Sequence, residues 1–410
     1  MPGLDLQEYA TSEHKLSVDQ SEALLQESKS LHLSVEPVKG KKGSYDLTPG
    51  STVGALEIGG LSMLIRPKIG IPQLLSLASY ALGFYKPQDN LFDFKKAETL
   101  PDILALNLVA AARRAFGRGL LRGYLTEEDA LYTVRGRIQF SEQIRRRFSI
   151  PLPVELRFDE FTEDILANRL VKAAAARLGR MTLRSAKARQ GLGRIAAILE
   201  NVSLLEFRRG RVPELPFDRL NEHYRQVVGL ARLILLHGEF ESFHGDVRST
   251  GFLIDMNKLF QEFLTQALRE KMNVSERTLR ADKGIGRITL DEKGKAPIQP
   301  DLSWWEDGVC KFVGDAKYKN ITGERVPNAD LYQMLAYATA LDLPGGLLVY
   351  AKGEAALASY KVRHTDKRLE VVEVDLSKPL ETILKRVAEI GCRISELRDE
   401  ACWLRLEKAA

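Results

Sequence analysis

Cysteine is scarce: three residues, Cys310, Cys392 and Cys402, in a chain of 410. They are widely separated and form no Cys-x-x-Cys pair, so they offer no disulfide framework. A reducing, cytoplasmic location is the expectation. No run approaches the ~18 apolar residues of a membrane span. The start, Met-Pro-Gly-Leu-Asp-Leu-Gln-Glu, lacks the basic-then-apolar order of a signal peptide. The six histidines show no metal-ligand spacing. No segment fits Gly-x-x-x-x-Gly-Lys-Ser/Thr, and no spaced glycine fingerprint for a dinucleotide occurs. Gly40-Lys-Lys-Gly43 is a turn, too short for a nucleotide loop. Nucleotide binding by this chain itself is therefore not expected. Neither sign of charge prevails: 60 basic residues face 55 acidic ones, a net +5.

What is present is an ordinary globular balance, 44% apolar and 28% charged, in a chain long enough for two or three domains. The expected class is multi-domain α/β: a β-rich N-terminal module, a helical middle and a C-terminal α/β/α core. The expected spans are 1–150, 151–240 and 241–410. A helix is expected near Ser21–Ser28 and a strand at Leu31–Val35. From Ser44 to Ile69 short apolar alternations broken by Pro49-Gly50 and Gly59-Gly60 read as hairpins. Residues 71–129 read as helical, 131–140 as a strand, Phe161–Leu178, Leu183–Glu200 and Asn221–His237 as helices. Phe240–Gly251 reads as a loop and Pro379–Leu404 as one or two helices. Between 165 and 199 lie eight Lys/Arg and no Asp or Glu. Arg177, Arg180, Arg184 and Lys187 recur at helical spacing, a basic stripe suited to a phosphate track or to a solvated face.

The most informative stretch is Ile298–Lys319. It reads as two strands around a tight turn at Glu306-Asp307-Gly308. Asp301 lies on the first strand, Asp315 and Lys317 on the second. Alternation points Asp315 and Lys317 the same way, and pairing sets Asp301 opposite or diagonal to Asp315. Phosphodiester hydrolysis needs such a set. Mg²⁺ takes hard oxygen ligands, usually one or two carboxylates plus waters and phosphate oxygens. It acidifies a bound water and neutralises charge in the transition state. Two adjacent carboxylates without a cation would repel. A solvated hairpin could carry the same letters. Against that, Phe312, Val313, Gly314 and Ala316 mark a buried strand, Pro300 stands where a strand tolerates proline, and a helix follows. The Pro-Asp … Asp-x-Lys order looks like a PD-(D/E)xK nuclease core. The resemblance implies Asp301 and Asp315 as metal ligands, helped by the Ala316 carbonyl, with Lys317 catalytic. Lys319 beside them is a candidate DNA contact.

Downstream, Leu331, Met334, Leu335, Ala338 and Leu341 make a helical stripe, with Gln333 and Tyr337 four apart on one face. A Gln-x-x-x-Tyr helix here resembles RecB-like nucleases, in which the glutamine supports the site and the tyrosine packs near DNA. Gly346–Ala351 fits the next strand. Upstream, Met256, Leu259, Phe260, Phe263, Leu264 and Ala267 mark an amphipathic helix. Met-Asn-Lys-Leu-Phe there, the Pro-Asp and Gly-Asp-Ala-Lys-Tyr-Lys strands and Gln333 together resemble the McrC family, nuclease subunits of McrBC-type modification-dependent restriction systems. Val134-Arg-Gly-Arg-Ile-Gln-Phe, the segment from Pro153 to Leu170, and Leu64-Ile-Arg-Pro-Lys-Ile-Gly extend the likeness, which runs from about 50 to about 350. Members carry glutamate directly after Leu-Phe; this chain has Gln261, then Glu262. Either Glu262 serves as the third acid, or Gln261 holds a metal-bound water, or the position is dispensable.

The resemblance implies a Mg²⁺-dependent (or Mn²⁺-dependent) endonuclease acting on modified double-stranded DNA in defence against foreign DNA. It also implies an AAA+ GTPase partner of the McrB type, docked by the N-terminal part and stimulated by it. Arg66 and Lys68 are the candidate partner contacts. A stand-alone RecB-like nuclease and a non-catalytic activator of the partner are the alternatives.

Overall fold

The computed structural model describes residues 3–84, 99–148, 150–207, 211–237, 240–244, 247–281, 288–321, 326–353 and 358–409. The chain divides into two compact units, one of residues 1–85, 241–249 and 253–410, the other of 86–240 and 250–252. The expected spans regroup: 1–85 joins the C-terminal span, and 86–150 joins the middle.

The first unit holds two sheets that matter for the site. One has five strands, in the order Leu4–Gln7 (β1), Leu61–Arg66 (β2), Thr52–Ile58, Val247–Asp255 and Phe240–His244. β1 runs parallel to β2, Leu4–Gln7 lying beside Met63–Arg66. The stretch expected as a loop at 240–251 instead supplies two strands of this sheet (245–246 lie outside the described residues). Its pairing partner, Thr52–Ile58, is nearly two hundred residues away, a relation no local pattern carries. The expected helix near 21–28 is Val18–Glu27, started by a capping box between Ser17 and Gln20.

The second sheet has six strands: Leu279–Ala281, Leu302–Glu306 (β3), Val309–Ile321 (β4), Gly345–Gly353 (β5), Arg368–Glu373 (β6) and Ala358–Lys361. β3 and β4 are antiparallel; β4, β5 and β6 are parallel. The helices Met256–Met272 (α1), Asn328–Ala340 (α2) and Leu380–Ala409 (α3) accompany it. α2 is the crossover that a parallel pair requires between β4 and β5. Its Met334, Tyr337 and Ala338 pack with Val313, Leu348, Tyr350, Leu369 and Val371 on one face. Gly346 permits that contact: a Cβ there would lie 2.3 Å from Met334 Sδ. On the opposite face Phe260 of α1 meets Tyr318 of β4, ring centroids 6.4 Å apart. α3 lies along α1, where Gly391 approaches Met272 and Leu268.

The second unit combines helices Leu100–Phe116, Leu166–Gly179, Ala186–Ile198 and Arg225–His237 with a sheet of Gly123–Leu131, Val154–Thr162 and Arg137–Ile138. Two expectations fail here. Residues 123–129 are strand rather than helix, and the helix expected from Phe161 starts at Leu166. One cause explains both: Gly123–Leu131 pairs residue for residue with Val154–Thr162, including Tyr124 with Phe161.

Candidate active site

The turn between β3 and β4 needs two residues with positive φ. Asp307 (48°) and Gly308 (77°) supply them, closing a two-residue hairpin loop. From that turn Glu306 pairs with Val309 and Trp305 with Cys310. Continued unbroken, this register would set Asp301 against Gly314, with its side chain on the wrong face. Instead a bulge inserts Lys311. Beyond it Trp304 pairs with Phe312, Ser303 with Val313 and Leu302 with Gly314. One further step sets Asp301 against Asp315. The single extra residue thus brings the two carboxyls to one face.

The geometry at that point is a fork. β3 pairing ends at Leu302–Gly314, and Asp301 turns its carboxyl back across the gap. Its Oδ2 accepts from the Ala316 amide at 2.9 Å, and its own amide donates to Asp315 Oδ1 at 3.4 Å. Asp315 is 1% exposed. Its Oδ2 forms an ion pair with Lys317 and no other hydrogen bond of good geometry. Burial, and then the neighbouring Asp315, push the Asp301 carboxyl up to about 7. Burial opposes the Lys317 charge, but Asp315, then Asp301 and Asp330, hold its ammonium above the usual lysine value.

Lys317 Nζ also donates to Gln333 Oε1 at 2.9 Å. Gln333 Nε2 donates to the Tyr337 hydroxyl at 2.7 Å, and that hydroxyl donates to the Gln299 carbonyl at 2.9 Å. α2 thereby clamps both the lysine and the segment leading into Asp301. Tyr337 is 3% exposed, so it is an internal strut and not a surface for DNA. Lys319, expected at DNA, is held by Asp330 at 2.7 Å. Asp330 is buried and also accepts from Tyr350 at 2.5 Å. Asp330 and Gln299 were not singled out from the sequence. Asp330 had a readable signal: it sits three residues before Gln333 and seven before Tyr337, on the same helical face.

The remaining candidates are placed elsewhere. Glu262 is on α1, whose Phe260 meets Tyr318, and it pairs with Lys258 at 3.7 Å. Among the described residues no three His, Cys, Asp or Glu side chains gather as a metal group. The basic stripe is broken by the end of its helix at Gly179. Arg177 donates to the carbonyls of Leu235 and Phe207, Arg180 caps that helix, and Arg184 lies in the connection. Lys187, on the next helix, instead borders a cleft of about 470 Å³ with Arg113 and Arg194. Arg66 is engaged by Asp5 through two bonds of 2.7 Å. Lys68 places its ammonium 4.3 Å from the Tyr9 ring centroid.

The donor set suits a hard divalent cation. Asp301 and Asp315 are both acceptors when ionised, and Asp315 Oδ2 pairs with the Lys317 ammonium. The Ala316 amide points toward Asp301 and away from β5. In an extended strand the carbonyl of a residue points to the same edge as its amide, so the Ala316 carbonyl faces the fork.

These features define a mixed α/β protein whose principal sheet carries a carboxylate pair, Asp315 buried and Asp301 partly so, and a lysine where two antiparallel strands part. The family is settled by comparison: residues 47–351 match the model for "McrBC 5-methylcytosine restriction system component", and the chain belongs to that family. It is 24% identical over 332 residues to the Escherichia coli K12 protein named type IV methyl-directed restriction enzyme EcoKMcrBC, covering 77% of this chain and 95% of that one. Its fold is similar to a chain of the Thermococcus gammatolerans assembly of McrB AAA+ hexamers with bound McrC. That match has a TM-score of 0.55 and 17% identity over 95% of this chain and 99% of the other.

Proposed function

We propose that this protein is the Mg²⁺-dependent DNA endonuclease subunit of an McrBC-type restriction complex, built on a PD-(D/E)xK core. The observation that carries the reading is the convergence of Asp301, Asp315 and Lys317 on one face at the fork between β3 and β4. Asp301, Asp315 and the Ala316 carbonyl would hold the cation, which when bound acidifies a water and neutralises charge on the phosphate. The chain supplies the rest. Lys317, with Asp315 and Gln333 fixing its ammonium, orients the attacking water and stabilises the charge that develops on phosphorus-bound oxygen. Tyr337 keeps Gln333 and the Gln299 segment in register, so lysine and carboxylates move as one body.

The partner in this reading is an AAA+ GTPase ring of the McrB type, which gathers DNA and whose hydrolysis this chain stimulates. The surface best suited to it lies in the second unit. Tyr124 and Phe161, in ring contact at 5.1 Å, and Tyr132, Phe140, Ile144 and Phe148 are each more than half exposed within about forty residues, and this segment is the proposed docking region. Arg66 and Lys68 are exposed, Arg66 in a surface ion pair with Asp5, and remain candidate contacts in addition to this surface.

The test is Asp315→Asn. With partner, GTP, Mg²⁺ and modified DNA, the variant should bind the partner normally and not cut. Cutting at the parental rate would refute the assignment. A non-catalytic activator is the second reading, favoured by the carboxylate pair gathering no third acidic side chain among the described residues. Full stimulation of partner hydrolysis by a parental protein that cuts no modified DNA would establish it.

A further inference from the structure

The long strand β4 is regular up to Lys317 and irregular just after it. Its parallel register with β5 pairs Lys317 with Tyr350 but Asn320 with Lys352, so one residue is gained between them. A bulge therefore sits at Tyr318–Lys319, directly beyond the lysine of the site. Bulges beside active sites re-aim side chains, but they also remove the ladder bonds that would hold the strand. Here the replacement comes from the N-terminus. The Tyr9 hydroxyl donates to the Tyr318 carbonyl at 2.8 Å. The Tyr318 hydroxyl donates in return to Glu8 Oε1 at 2.8 Å, and the Lys68 amide donates to the same oxygen at 2.8 Å.

Glu8 and Tyr9 are fixed in turn by the five-stranded sheet. The Glu8 amide donates to the Arg66 carbonyl at 3.1 Å and the Tyr9 amide to the Pro49 carbonyl at 2.7 Å. Glu8 is fully buried and Tyr318 is 4% exposed. Tyr9 takes φ of 58°, a left-handed conformation costly for a bulky residue and retained only where the surroundings enforce it. A buried carboxylate, a strained tyrosine and an irregular strand meet at one point, on the face of β4 opposite Lys317.

We propose that Glu8 and Tyr9 are positioning residues of the nuclease site: they clasp the bulge at Tyr318–Lys319 and so set the reach of Lys317 and Lys319 on the other face. The inference rests on the nuclease reading above. Neither residue touches DNA or metal in this role. A misplacement of about 1 Å in such a group costs about 10²-fold in rate.

Three variants test it in the full complex with partner, GTP and Mg²⁺. Tyr9→Phe removes one hydroxyl and no packing. It should lower kcat by about 10–100-fold, leave KM for DNA within about twofold, and leave the unfolding temperature unchanged. Glu8→Leu should do the same or unfold the protein, whereas Glu8→Gln keeps an acceptor for Tyr318 and Lys68 and should restore most of kcat. Hydrogen exchange at the amides of 317–320 supplies a readout independent of cleavage, and Tyr9→Phe should speed it. If the parental protein cuts and Tyr9→Phe cuts equally fast, the clasp does not position the site. If the parental protein cuts nothing, the nuclease reading has failed, and unchanged exchange in Tyr9→Phe would separately refute the clasp.

Discussion

At the scale of single residues, the site turns on how a buried and a half-buried carboxyl tolerate each other. Asp301 does so by rising to about 7, and Asp315 by keeping Lys317 against it. A carboxyl whose pKa rises on folding binds its proton more tightly in the folded state. Stability from this group is therefore full at low pH and is lost as pH climbs from the ordinary aspartate range through 7. In EDTA, Asp301→Asn should unfold at a higher temperature than the parent at pH 8, by about 2–4 °C if about 1 kcal/mol is recovered. The difference should vanish near pH 5. A variant that is less stable at pH 8 would mean the pair is not strained without metal. Lys317→Met should lower cleavage by about 10²–10³-fold, the loss typical of one charge-stabilising donor. Single-turnover assays at saturating Mg²⁺ would measure it. The residue types of this site were legible in the sequence. Gln299 was not, because it belongs to no motif and acts through a carbonyl met by another element; Asp330 carries a helical-face signal, but its partners Lys319 and Tyr350 come from the sheet.

At the scale of elements, the bulge at Lys311 decides which residue of β4 Asp301 opposes, Asp315 rather than Gly314. The two-residue turn fixes one register, and the inserted residue shifts it by one. Deleting Lys311 removes the bulge but leaves Trp304 opposite Phe312 and Asp301 opposite Asp315, so the two carboxyls stay on one face. Mn²⁺ binding followed by calorimetry should survive, with circular dichroism unchanged; lost binding would show that the bulge itself, and not the pairing, positions Asp301. Packing of α2 on the sheet has its own control. Gly346→Val would drive a side chain into Met334 and Val313 and should cost about 1–3 kcal/mol, read from denaturant unfolding. Element type was readable where apolar spacing was strong, as in α1, α2 and β5. The structure differs at 123–129, 161–162, 240–244 and 247–251, where strands form only because a distant partner is present.

At the scale of the whole molecule, two units divide the work in the proposed reading. The first carries the carboxylate pair; the second carries the exposed aromatic surface. Tyr132→Ser with Phe148→Ser removes two side chains that are 76% and 80% exposed, so stability should change by no more than about 0.5 kcal/mol for each. Partner binding and stimulation of its hydrolysis should nonetheless drop. Asp315→Asn should show the reverse: stimulation kept, cleavage lost. If the surface variant stimulates like the parent, docking occurs elsewhere.

The sequence by itself determined the chemistry available: a hairpin with a positive-φ turn, two aspartates and a lysine in strand alternation, and a helix bearing glutamine and tyrosine on one face. These are local periodicities, and local periodicity survives in a string of letters. The tertiary structure alone decided which groups meet. It inserted the bulge that sets Asp315 opposite Asp301, paired Glu262 with Lys258, broke the basic stripe at a helix end, and tied residues 8 and 9 to residue 318. Each of those depends on contacts between segments distant in the chain, set by packing and by the pairing of buried polar groups, and no local pattern encodes them.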